Sequence, residues 1–164
     1  VLNGEAVFTV MHEEGAPFEV EAGGVVTRVL GTTFNVRKYT SDSVVRVTVA
    51  EGRVDVANTV LASGDQIAVE PNGNAILSRE ANVGSVLGWT TGRLTLDAIP
   101  LRDAIADLER WYGVTFSVRD DRLLTRTVRV VLEHETAFEA ADLIGFLIHA
   151  RAVRSGNTIR WIPN

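Results

Sequence analysis

The 164-residue chain has no cysteine. That removes disulfide cross-links, thiolate metal sites and cysteine nucleophiles, and it leaves the redox compartment open. Long apolar runs are missing as well: the longest, Ala140 to Ala150, is interrupted by Asp142 and falls short of the ~20 residues a membrane helix needs. The single methionine is Met11. With no initiating methionine and no signal-peptide pattern, the chain opens directly on strand-like residues and reads as an excised soluble fragment. Basic charge is not in excess, since 16 Lys and Arg stand against 21 Asp and Glu for a net −5. That balance argues against nonspecific nucleic-acid binding and against an anionic membrane surface. No Gly-x-Ser-x-Gly elbow surrounds any serine, and no phosphate loop or dinucleotide glycine fingerprint occurs. The chain offers no residue set on which an enzyme reading could rest, and no cofactor is expected.

What is present is 46% hydrophobic residues, ample for a packed core. Charge divides the chain: residues 1–91 hold six basic and eleven acidic side chains, whereas residues 92–164 hold ten of each. The pattern divides it at the same place. Apolar residues recur at every second position over 4–10, 17–22, 24–30, 32–39, 43–50, 52–57 and 65–70. Turn residues separate these strands at Glu14-Gly15, Gly23-Gly24, Ser41-Asp42, Glu51-Gly52, Ser63-Gly64-Asp65 and Pro71-Asn-Gly-Asn74. An all-β module over 1–80 follows, with Gly31 marking a tight bend where a side chain would block backbone approach. Residues 81–91 form an apolar connecting segment around Val86, Leu87 and Trp89.

Residues 92–164 then read as a small α+β domain of order βαββαββ. The strands are 93–97, 114–118, 127–132, 151–155 and 158–162, and the helices 100–112 and 137–149. Pro100 opens the first helix, Gly113 closes it, and Leu101, Ile105, Leu108 and Tyr112 share one face. Thr136-Ala-Phe-Glu139 is a capping box for the second helix, and Ser155-Gly156-Asn157 suits a hairpin turn.

Gly4-Glu-Ala-Val-Phe-Thr-Val10, Pro17-Phe-Glu-Val20, Leu30-Gly-Thr-Thr-Phe-Asn-Val36 and Glu51-Gly-Arg-Val-Asp-Val56 together resemble the periplasmic domain of the FecR family of sigma-factor regulators. The second half resembles the secretin and TonB short N-terminal (STN) domain. The residues that carry this likeness are Gly92-Arg-Leu-Thr-Leu96, Ile99-Pro-Leu101, Ala104, Leu108, Tyr112-Gly-Val114 and Gly156-Asn-Thr-Ile159. These resemblances imply the periplasmic region of an inner-membrane anti-sigma regulator. Its partner is then the signalling domain of an outer-membrane TonB-dependent transducer. The sigma factor would be reached only through a cytoplasmic part that this sequence does not contain. An alternative is a glycan-binding or small-ligand-binding β-module with an STN-like adaptor, which would show a concave apolar pocket with converging polar groups.

Candidate sites are few. His12, His134 and His149 lack zinc-site spacing, and Glu133-His-Glu135 alternates across a strand, so no metal is expected. Asp120-Asp121 is ordinary turn composition between Arg119 and Arg122. Arg119, Arg122, Arg126 and Arg129 form a basic cluster suited to docking an acidic protein partner. Phe146 shares a helical face with Asp142 and His149, away from Leu143, Ile144 and Leu147, and is a candidate apolar anchor. Strands 127–132 and 158–162 are the expected free sheet edges. Trp89 and Trp161 are expected to close a core or seam, and Trp111 to be half exposed.

Overall fold

Valine and phenylalanine at every second position pair into two antiparallel sheets in the first half of the chain. The computed structural model describes residues 1–12 and 17–164, so the turn expected at Glu14-Gly15 lies outside the described residues. The strands are β1 (Gly4–Val10), β2 (Phe18–Ala22), β3 (Val25–Val29), β4 (Thr32–Lys38), β5 (Val45–Glu51), β6 (Arg53–Val56), β7 (Thr59–Ala62), β8 (Gln66–Val69) and β9 (Ala75–Ser78). They form a five-stranded sheet β1-β4-β5-β8-β9 and a four-stranded sheet β2-β3-β6-β7. Phe34, Val36, Val47 and Val49 from the first sheet meet Val20, Val29, Val54, Val56 and Leu61 from the second in one core. Each such side chain contributes ~1.5–3 kcal/mol on burial.

Two strands differ from the sequence expectation. β7 follows a turn at Ala57 and Asn58, both with positive φ (48° and 65°). This is hairpin geometry normally signalled by glycine, and alanine hid it. β9 is exposed at all four positions, so it has no buried alternation to read. Gly31 behaves as expected: at φ 147°, a Cβ there would lie 2.8 Å from the His12 Cβ and 2.9 Å from its Cα. Asp65, almost fully buried, accepts the Ala62 N–H at 2.9 Å and pairs with Arg79, which fastens the chain leaving β9.

By internal contacts the chain separates into two units, Val1–Leu87 and Gly88–Asn164. The segment read as a connection holds a short helix, α1 (Val83–Leu87), in the first unit and a 3-10 turn, Gly88–Thr91, in the second. The second unit continues with β10 (Leu94–Pro100), α2 (Leu101–Tyr112), β11 (Thr115–Val118), β12 (Thr127–Leu132), α3 (Ala137–Ile148), β13 (Ala150–Ser155) and β14 (Thr158–Pro163). The expected βαββαββ order is therefore present, after an all-β region of two antiparallel sheets.

Its strands form two small sheets, β10-β12 and β11-β14-β13. Leu96, Leu101, Leu108, Leu132, Ile144, Ile148, Ile159 and Trp161 fill the core between sheets and helices. Trp161 stacks on Phe116 at 5.3 Å and donates from Nε1 to the Ala141 carbonyl of α3 at 2.8 Å. One edge expectation is corrected. β14 is hydrogen-bonded on both sides, parallel to β11 and antiparallel to β13, so strand 158–162 is central. β12 pairs only with β10 and is a true edge.

Candidate functional site

α3 starts at the expected capping box. The Glu139 N–H donates to Thr136 Oγ1 at 3.4 Å, and Glu139 Oε2 accepts from the Thr136 N–H and hydroxyl, both at 2.8 Å. These bonds hold the Glu139 carboxyl below the usual carboxylate range. The helix ends on His149 in the left-handed conformation (φ 57°). Between the caps, Ala140, Ala141, Ile144, Gly145 and Ile148 face the core.

The opposite face of α3 is not polar. Phe146 is 82% exposed, and Leu143 and Leu147, expected on the buried side, are 46% and 43% exposed. At spacings of three and four residues, Leu143, Phe146 and Leu147 form one outward stripe, with Glu139 and Asp142 along its flank. The sequence reading failed because small residues, Ala140, Ala141 and Gly145, take the tightest packing positions. A Cβ on Gly145 would stand 2.6 Å from the Ala150 carbonyl oxygen. The bulky leucines are thereby turned outward.

The four arginines separate onto different surroundings. Arg122 folds back on Asp120, with Nε at 3.0 and 2.9 Å and Nη2 at 2.6 Å from the carboxylate. The contact, led by the side-chain hydrogen bond, lowers the Asp120 pKa. Asp120 also accepts the Arg122 N–H and so caps a 3-10 turn over Asp121–Thr125. Arg129, on the outer side of β12, lies 3.2 Å from Asp97 on the neighbouring strand. Arg126 is exposed at the end of the 3-10 turn, where its N–H bonds the Leu123 carbonyl. Arg119 is exposed just past β11, with its N–H on the Trp161 carbonyl at 2.9 Å. Arg126 precedes β12 and Arg129 lies within it, Arg119 extends the other sheet, and Phe146 stands on α3.

Several of the remaining candidate groups make local contacts of their own. Glu133 pairs with Arg93 at 2.6 Å, while Glu135 accepts the Glu133 and His134 N–H groups at 2.8 and 3.2 Å. Those backbone donors lower the Glu135 pKa. Burial, with the Glu135 and Glu139 charges, pushes the Tyr112 hydroxyl up to about 12. His12 Nδ1 lies 2.5 Å from the Leu30 carbonyl oxygen. Among the described residues, no three His, Asp or Glu side chains converge as a metal site would require. A shallow polar concavity is lined by Arg119, Asp120, Asp121, Ile162 and Pro163. No helix of the described residues is long and apolar enough to cross a membrane. These surfaces present an open strand edge, an apolar helix stripe and exposed guanidiniums.

Comparison with known proteins agrees with that division. Residues 1–55 match the family model described as FecR protein, and residues 93–160 match the one described as FecR, C-terminal. Two crystal structures of a "putative anti-sigma factor" from Parabacteroides distasonis superpose with TM-scores of 0.86 and 0.87. Each is 28% identical in sequence, and the matches cover 99% of this chain and 78% of theirs. No curated protein matches.

Proposed function

The chain belongs to the FecR family, with a FecR domain followed by a FecR C-terminal domain, and from that premise we propose that it is the periplasmic signal-receiving region of a transmembrane anti-sigma factor. In this reading, the signalling domain of an outer-membrane TonB-dependent transducer, typically one that handles an iron-bearing ligand, docks on the second unit. Its state is relayed across the inner membrane to an extracytoplasmic-function sigma factor, which a cytoplasmic part of the same polypeptide would contact. No bond in a small substrate is broken. The observation that carries the reading is the pairing of the two family matches, residues 1–55 and 93–160, in a chain that superposes over 99% of its length on a structure described as a "putative anti-sigma factor". The surfaces support it, because the groups on offer are those of protein recognition.

We place the partner contact at Arg119, Arg122, Arg126, Arg129 and Phe146, with the free edge of β12 beside the arginines. Charge should act mainly on association and weaken with salt, while an apolar anchor should act mainly on dissociation. The test is calorimetric and kinetic titration of the 164-residue chain with the signalling domain of the transducer encoded nearest its gene. Arg126→Glu with Arg129→Gln should slow association. Phe146→Ala should speed dissociation and cost more than about 1 kcal/mol of affinity. Undiminished binding in both variants would remove Arg126, Arg129 and Phe146 from the contact.

A further inference from the structure

The three strands β11, β14 and β13 contain no carboxylate, although the second unit carries as many acidic as basic side chains. Their inner face is fixed by Phe116, Ile159 and Trp161, all buried, and α3 is held to that side by the Trp161–Ala141 hydrogen bond. Alternation then sends the intervening residues to the other face. The register aligns them in rows: Arg151 opposite Ile162, with Arg119 one step past the paired end of β11, and below them Val153, Arg160 and Ser117. Arg119, Arg151 and Arg160 are all exposed, while Val153 and Ile162 are half-buried between them. Arg160 donates from Nε to Ser117 Oγ at 3.2 Å. None of the three arginines has a carboxylate within ion-pair distance among the described residues, whereas Arg93, Arg110, Arg122 and Arg129 each do. At the rim, Asp120 is taken by Arg122, and Asp121 shares the shallow concavity with Arg119, Ile162 and Pro163.

We propose that this outer sheet face is a second docking surface, turned away from α3 and its Phe146 stripe, for an acidic peptide segment of a protein partner. Strands lie ~4.8 Å apart, so Arg119 and Arg151, two strands removed, are rooted roughly 10 Å apart with Ile162 between them. A segment that spaces two carboxylates around an aliphatic side chain satisfies both charges and covers Ile162 and Val153. Arginine suits this use because its planar head binds carboxylates bidentately and gives up hydration easily. The aliphatic floor favours a peptide over a single-stranded nucleic acid, whose bases would stack on aromatic side chains, and the face displays none. This face shares Arg119 with the partner contact proposed above, so the two contacts meet at that residue.

The probe is a synthetic peptide alternating glutamate and valine, titrated into the full chain with amide chemical shifts as readout. A peptide alternating lysine and valine serves as control. The expected result is saturable binding with Kd below about 1 mM, shifts concentrated in β11, β13 and β14, weakening with salt, and no binding of the lysine peptide. Arg151→Glu and Arg160→Glu, each at an exposed position, should weaken binding about tenfold or more. Arg102→Glu, an equal charge change on α2, should alter it less than about twofold. Wild-type thermal unfolding in every variant keeps the comparison valid. Shifts scattered over both units, equal losses in the Arg102 control, or no saturation would overturn the proposal. So would anionic vesicles or duplex DNA that bind this face more tightly than the peptide does.

Discussion

Single residues at the α3–β13 junction decide which side of the helix is free. Gly145 is helical, and in an exposed helix alanine would be favoured over glycine by ~1 kcal/mol. Here the sign reverses, because the added methyl would meet the Ala150 carbonyl at 2.6 Å, a backbone atom that cannot swing away. Gly145→Ala should therefore destabilise the second unit by about 1–3 kcal/mol, read as a lower urea midpoint. A rise in stability would show that α3 is not seated as described. The same site shows what sequence could and could not reveal. The pattern Ala140-Ala141, Ile144-Gly145, Ile148 is visible, but grouping Phe146 with Asp142 and His149 as one polar face puts Leu143 and Leu147 inside. Only close backbone approach, which no single-sequence pattern encodes, explains why the small residues won.

At the level of elements, the sequence was legible wherever a local rule sets a boundary. Thr136 and Glu139 announced the start of α3, Gly113 (φ 66°) announced the end of α2, and Gly156 (φ 60°) the last hairpin. It was silent where the boundary is set by partners. β14 carries the pattern of a strand but no mark of being central, since strand order depends on which neighbours a segment meets. The arginines likewise looked like one cluster, until the strands carried Arg129 to Asp97 and left Arg151 and Arg160 to join Arg119. The signal that could have found that face was present. Once Trp161 is assigned to the core, Arg160 and Ile162 must face the other way. The capping box supplies a pH test. Glu139 has its carboxyl pKa lowered in the folded chain, so its contribution is fully present above the unfolded value of about 4.3 and is lost as pH falls through the folded one. Glu139→Gln should lower the unfolding midpoint at about pH 7, and the gap from wild type should shrink below about pH 4. A gap that stays constant in acid would mean the carboxylate does not act through its charge.

For the whole molecule, the two cores are separate sets of residues, one from β-strands alone and one from helices on two small sheets. A fragment of residues 88–164 should then fold alone and unfold cooperatively, with dispersed amide spectra. A disordered fragment would show that its stability depends on the first unit. A change of pattern is readable from composition, because net acidity and period-two patterning stop in the same region. What composition could not supply is which surface is open to a partner, since such a face is an absence of internal partners and appears only once all the internal partners are in place.

The central claim, that the second unit receives a protein signal, is tested most directly by amide hydrogen exchange of the full chain with and without the transducer's signalling domain. The account predicts new protection confined to residues 88–164, strongest along β12 and α3, with exchange over residues 1–87 unchanged. Protection confined to residues 1–87, or none at saturating signalling domain, would contradict it.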